Sequence, residues 1–89
     1  MIGKTNWATK LAGEMAKHGE SLDSIVANTM SVAEMETMFC DGFGSSEGCP
    51  FTVWTRLSVY FPVVYDGAEY VGRVARHPDG KPTKHQGGE

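Results

Sequence analysis

The segment 40–51, CDGFGSSEGCPF, is the stretch of the chain that most resembles a site. Cysteine thiols, serine hydroxyls and glycine backbone stand close together in it, and Gly44-Ser45-Ser46-Glu47-Gly48 spells G-x-S-x-G. That pattern makes a nucleophile only where a strand runs into a sharp turn and then a helix, so that the serine stands proud of a large sheet. Here the order is reversed: helical spacing precedes the segment and β-rich residues come after Pro50. The bases on offer, His77 and His85, lie at the end of the last strand or beyond it. A phosphate cradle needs a helix N-terminus after the glycines and a cation nearby. Cys49-Pro50 and a strand stand there instead, and the charges within the segment, Asp41 and Glu47, have the wrong sign. Cys40 and Cys49 lack the close spacing of zinc ligands, and His18, His77 and His85 offer no suitable pair to complete a site. A Cys40–Cys49 disulfide would close a plausible loop, but a reducing compartment disfavours it. The expectation is therefore a glycine-rich connector, with Cys40 a small buried hydrophobe and Cys49 a loop thiol. No metal and no cofactor are expected, and Ser46 is not expected to be a nucleophile.

Composition limits what the rest can be. The 89 residues make one small domain with a thin core, too short for an interdomain cleft. Apolar residues at 40% and charged residues at 21% are ordinary for a folded domain, so wholesale disorder is excluded. The longest apolar runs fall well short of the roughly 20 residues a membrane helix needs, and the first ten residues show no apolar leader. A cytoplasmic location with reduced cysteines is expected. The formal net charge of −3 is unevenly spread. Residues 18–55 hold no Lys or Arg, but carry Glu20, Asp23, Glu34, Glu36, Asp41 and Glu47. Such a surface repels phosphates and favours a basic partner.

Thr5 or Asn6 can cap a first helix near 6–18, with Trp7, Leu11 and Met15 on one stripe and His18-Gly19 at its end. Ser21 is expected to open a second helix burying Leu22, Ile25, Val26 and Met30. Ser31-Val32-Ala33-Glu34 has the form of a capping box and opens a third, about 32–40, with Val32, Met35 and Phe39 on one face. Residues 51–55, 58–65 and 68–76 read as strands. Asp66-Gly67 is a strong signal for a two-residue hairpin turn. That turn pairs Tyr65 with Ala68, Val63 with Tyr70, Phe61 with Gly72 and Val59 with Val74, an apolar set expected to face the core. Pro62 predicts an edge or a bulge. Residues 78–89 read as a flexible tail after a domain spanning 1–77.

The fold class expected is α+β: two or three short N-terminal helices on a three-stranded antiparallel meander. Its core is expected to be Trp7, Leu11, Met15, Leu22, Ile25, Val26, Met35, Phe39, Phe51, Val53, Val59, Phe61, Val63, Tyr70 and Val74. With no catalytic set in view, the expected function is a non-enzymatic binding module. A stoichiometric inhibitor or adaptor of another protein fits, as do small phage or mobile-element proteins that act on a host enzyme. The candidate contact residues are Glu34 and Glu36 on the acidic surface, and Trp54, Arg56, Tyr60 and Arg73 as an aromatic and basic patch on the sheet. Single-stranded nucleic acid stacking on that patch is the alternative, disfavoured by the low positive charge. A small hydrolase using the 44–48 segment ranks below both. No membrane partner is expected, and a homodimer is compatible with each reading.

Overall fold

The computed structural model of the chain describes residues 4–40, 48–65 and 68–86. It is an α+β arrangement of short strands β1 (Lys4–Thr5), β2 (Ala27–Asn28), β3 (Phe39–Cys40) and β4 (Val53–Trp54), long strands β5 (Ser58–Tyr65) and β6 (Ala68–Ala75), and helices α1 (Trp7–Ala16) and α2 (Val32–Glu36). Strands β2-β4-β5-β6 form an antiparallel sheet, and β1 pairs with β3 in a separate two-stranded ribbon.

Helix α1 forms as its ends predict. The Asn6 side-chain oxygen accepts the Thr9 N–H at 2.8 Å, which satisfies one of the amides a helix start leaves open. At the other end Gly19 takes φ +73°, and the Glu20 N–H returns to the Met15 carbonyl at 2.9 Å. Trp7, Leu11 and Met15 are fully buried along one stripe.

The second helix is not there. Ser21 caps only a single 3-10 turn, Leu22–Ser24, and the β-branched pair Ile25-Val26 then runs extended into β2. The Val26 N–H donates to the Trp54 carbonyl instead of to a helix, which makes the sheet four-stranded rather than a three-stranded meander. Leu22 and Val26, expected in the core, are consequently exposed at 38% and 56%. The capping box at Ser31 and Glu34 is present in both directions, but the helix it opens stops at Glu36 rather than near 40. Phe39 is drawn into β3 opposite Thr5, and Val32 and Met38 are left exposed.

The β5–β6 register is the predicted one throughout, from Ser58 opposite Ala75 to Tyr65 opposite Ala68. The two central turn residues, Asp66 and Gly67, lie outside the described residues. Pro62 causes no bulge. Its missing N–H faces the β4 side, and β4 has already ended opposite Tyr60.

The hairpin's buried face is the reverse of the expected one. Tyr60, Val71 and Glu69 are buried against the helices, while Val59, Phe61, Val63, Tyr70 and Val74 form a half-buried outer face. The cause is the β4 register. Val53, fully buried with Phe51 under Trp7, stands opposite Tyr60 and so pulls Tyr60 inward. The polar atoms on that face have partners: Tyr60 on Glu20, Arg73 on Ser58, and Glu69 on the Gly48 N–H.

Trp7 organises the core. Its ring lies 4.9 Å from that of Phe39 and 4.8 Å from that of Phe51, and its indole N–H donates to the Cys49 carbonyl at 2.9 Å. Gly48 sits so close that a Cβ there would meet the indole at 2.6 Å. Gly48→Ala is therefore expected to destabilise the fold by about 1–3 kcal/mol through overpacking. Gly13→Ala, on the exposed side of α1 with nothing within 4 Å, should stabilise it by about 0.5–1 kcal/mol. Chemical denaturation of both variants checks the pair, and equal midpoints would contradict the packing described.

Candidate functional site

The turn between β4 and β5 has no glycine, and the Thr55 side chain closes it instead. Its hydroxyl accepts the Leu57 N–H at 3.2 Å and the Ser58 N–H at 2.9 Å, while its own N–H donates to the Ser58 carbonyl at 2.9 Å. Arg76 locks the turn from the end of β6: its backbone N–H reaches the Leu57 carbonyl and its Nη1 the Thr55 carbonyl, each at 2.9 Å. Arg56 and Leu57 are thus held outward as a rigid tip, with Leu57 64% exposed. Beside the tip lies a cleft of about 540 Å³ lined by Gly19, Glu20, Asp23, Val26, Arg56 and Leu57. The cleft brings apolar Val26 and Leu57 together with the Arg56 cation and the Glu20 and Asp23 carboxylates.

Behind the cleft a polar network joins helix end to sheet. The Tyr60 hydroxyl donates to Glu20 Oε1 at 2.5 Å, and the Arg73 Nε donates to Ser58 Oγ at 2.8 Å. Burial alone would raise the Glu20 carboxyl. The hydroxyls of Thr55, Tyr60 and Ser58 and the Arg73 charge outweigh it, holding Glu20 below the ordinary carboxylate value. Tyr60 is pushed up to about 12, first by burial and then by the hydrogen bond to Glu20. The His18 ring stands 6.4 Å from the Tyr60 ring and contacts Glu14 Oε2 at 3.2 Å. With Tyr60 0% exposed, this network fastens the helix end to the sheet.

A second, smaller cleft lies at the far end, lined by Trp7, Glu34, Thr37, Met38, Gly48 and Cys49. Cys49 is a free, half-buried thiol, raised above its ordinary value first by burial and then by the Glu34 charge, so it is protonated and a poor nucleophile at neutral pH. Among the described residues no group of three or more His, Cys, Asp or Glu could hold a metal ion. Ser46 and the rest of the G-x-S-x-G stretch up to Glu47 fall within 41–47, outside the described residues, and so does the Cys40 side chain at the other end of the considered disulfide.

The proposed contact residues are not brought together. Tyr60 and Arg73 are neighbours across β5 and β6, as paired from the sequence, but on the helix side, where Tyr60 is sealed and Arg73 is engaged by Ser58. Trp54 stands opposite Val59 and so lies on the outer face, which breaks the expected Trp54/Tyr60/Arg73 patch. Arg56 sits at the tip. Glu34 and Glu36 are exposed on α2, but the Glu34 carboxylate already accepts the Ser31 N–H at 2.8 Å. Leu57 and Thr55 are not read as site residues from the sequence, Val26 is read as core, and Glu20 is read only as part of the acidic surface. Leu57 carried a signal, an apolar residue in a two-residue turn. The bond of Glu20 to Tyr60 carried none, because the two are 40 positions apart.

No protein-family model, curated protein or solved structure matches the chain.

The network makes stability depend on pH at both ends. Glu20, lowered in the native state, stabilises above its ordinary 4.5, and that contribution is lost as pH falls through its native value. Tyr60, raised, stabilises fully below its ordinary 10.0, and that contribution is lost as pH rises toward 12. Denaturation midpoints against pH should show both limbs in the wild type. Tyr60→Phe should cost about 1–2 kcal/mol at pH 7 and flatten the alkaline limb. An unchanged alkaline limb in that variant would contradict the assignment.

Proposed function

We propose that this chain is a non-enzymatic protein-binding module, an inhibitor or adaptor of another protein, whose contact surface is the Arg56–Leu57 tip and the cleft beside it. The observation that carries the reading is the tip itself. Two large side chains, Leu57 and Val26, stand more than half exposed around an arginine on a turn locked by backbone and side-chain hydrogen bonds. A rigid scaffold holding a protruding loop keeps the ordering cost of binding low, and arginine beside apolar side chains is typical of contacts that dominate binding energy. Exposed Asp23, at the cleft, and Glu36, on α2, within a stretch free of Lys and Arg, favour a partner with a basic surface.

Nucleic acid stacking has less support. Trp54, Phe61 and Tyr70 do share the outer sheet face, but Arg73 is on the other side and the Arg76 guanidinium is bound to the Thr55 carbonyl. The platform lacks the cations that a phosphate backbone requires.

A photo-crosslinking side chain at position 57 tests the reading, with one at exposed Ala12 on α1 as control. In cells of the source organism, position 57 should capture a discrete, protease-sensitive partner that position 12 does not. Arg56→Ala and Val26→Asp should each reduce that capture about tenfold with the fold intact by circular dichroism, and added salt should reduce it further. Equal capture at both positions, indifference to the two variants, or capture abolished by nuclease instead of protease would each overturn the proposal.

A further inference from the structure

We propose that the outer edge of β6 is a pairing surface for the β6 strand of a second copy of this chain, and that residues 79–86 are the cover that guards it. This rests on the edge and not on the tip, so it stands or falls separately from the binding reading above. Strand β6 is the last in the sheet order, eight residues long, without a bulge and without proline or lysine, two residues commonly used to blunt edges. The Arg76 N–H bond to the Leu57 carbonyl fixes the alternation along the strand: even-numbered residues of β6 turn their backbone groups to β5, and Val71, Arg73 and Ala75 turn theirs outward.

The segment 79–86 leans on this edge without pairing to it. With Glu14 and His18 of α1 and with Arg73, Val74 and Ala75 it lines a shared cleft, and the Gln86 carboxamide oxygen lies 3.0 Å from where a Cβ on Gly72 would stand. Among the described residues no backbone hydrogen bond joins 79–86 to β6, and every residue of the segment is exposed. Pro82 has no N–H to give.

The strand complements itself. Antiparallel pairing about a two-fold axis at Gly72 sets Val71 of each copy opposite Arg73 of the other, so outward donors meet outward acceptors. Gly72 then faces Gly72 of the second copy, where the backbones must come closest, while Gln86 lies over the outer face at that position, beside Phe61 and Val63. On the outer face Val74 meets Tyr70 of the second copy, a favourable aromatic and β-branched cross-strand pair. No like charges stand opposite one another in this register.

Sedimentation velocity over a concentration series, comparing the whole chain with one ending at His77, tests the proposal. The shortened chain should dimerise with a dissociation constant at least about tenfold lower than the whole chain. Adding Ala75→Pro, which removes an outward N–H and leaves the β5 ladder intact, should reverse that gain. Identical masses for both chains at every concentration, or dimerisation indifferent to Ala75→Pro, would overturn it. Where circular dichroism shows the shortened chain unfolded, the whole chain with Pro82→Gly and Gln86→Gly replaces it. The same gain is expected of that variant, and its absence counts equally against the proposal.

Discussion

The contact between the Trp7 indole and the Gly48–Cys49 backbone is the constraint on which the rest of the structure depends. A chain of this size has a thin core, and one large side chain at the right place organises much of it. Trp7 begins α1, packs against Phe39 of β3 and Phe51 before β4, and donates to the Cys49 carbonyl. Those contacts bring the chain beyond the glycine-rich segment back beneath the helix. From there Val53 is set on the helix side, Tyr60 goes with it by register, and the orientation of the whole hairpin is decided.

That orientation carries a polar cost, and the structure offsets it locally. The face turned inward includes Glu69, Ser58 and Thr55, all buried, and each finds a partner within the fold. The face left outward is the more apolar one. Such an arrangement holds because buried hydroxyls and carboxylates that are fully hydrogen-bonded cost little, whereas unpaired ones cost much. No buried side-chain nitrogen or oxygen among the described residues lacks a partner. The same network that makes the inner face tolerable also stiffens the Thr55–Ser58 turn, so packing and the presentation of Arg56 and Leu57 share one cause.

What the sequence made legible was local. The Asn6 cap, the Gly19 stop, the Ser31–Glu34 box and the full β5–β6 register come from residue types a few positions apart, and each is found as read. What it hid was long-range. Alternation in 59–74 offers two faces, and counting apolar residues chose the wrong one, because the choice is made by Val53, Glu20 and Gly48 from elsewhere in the chain. Helical spacing at 22–30 was outweighed by the β4 edge, which offered Val26, Asn28 and Thr29 a strand partner. The candidate site depended on long-range placement likewise: Arg56 lies at the β4–β5 turn, and strand register puts Trp54 on the outer face, away from Tyr60 and Arg73.

The two tryptophans occupy different environments, and that difference is directly measurable. Hydrogen exchange of the two indole N–H groups, tracked by proton–nitrogen NMR in deuterated buffer, separates them. Trp7, fully buried and hydrogen-bonded to Cys49, should exchange only on global unfolding, orders of magnitude more slowly than half-buried Trp54. A Trp7 indole that exchanges as fast as that of Trp54 would show that the central contact is not made.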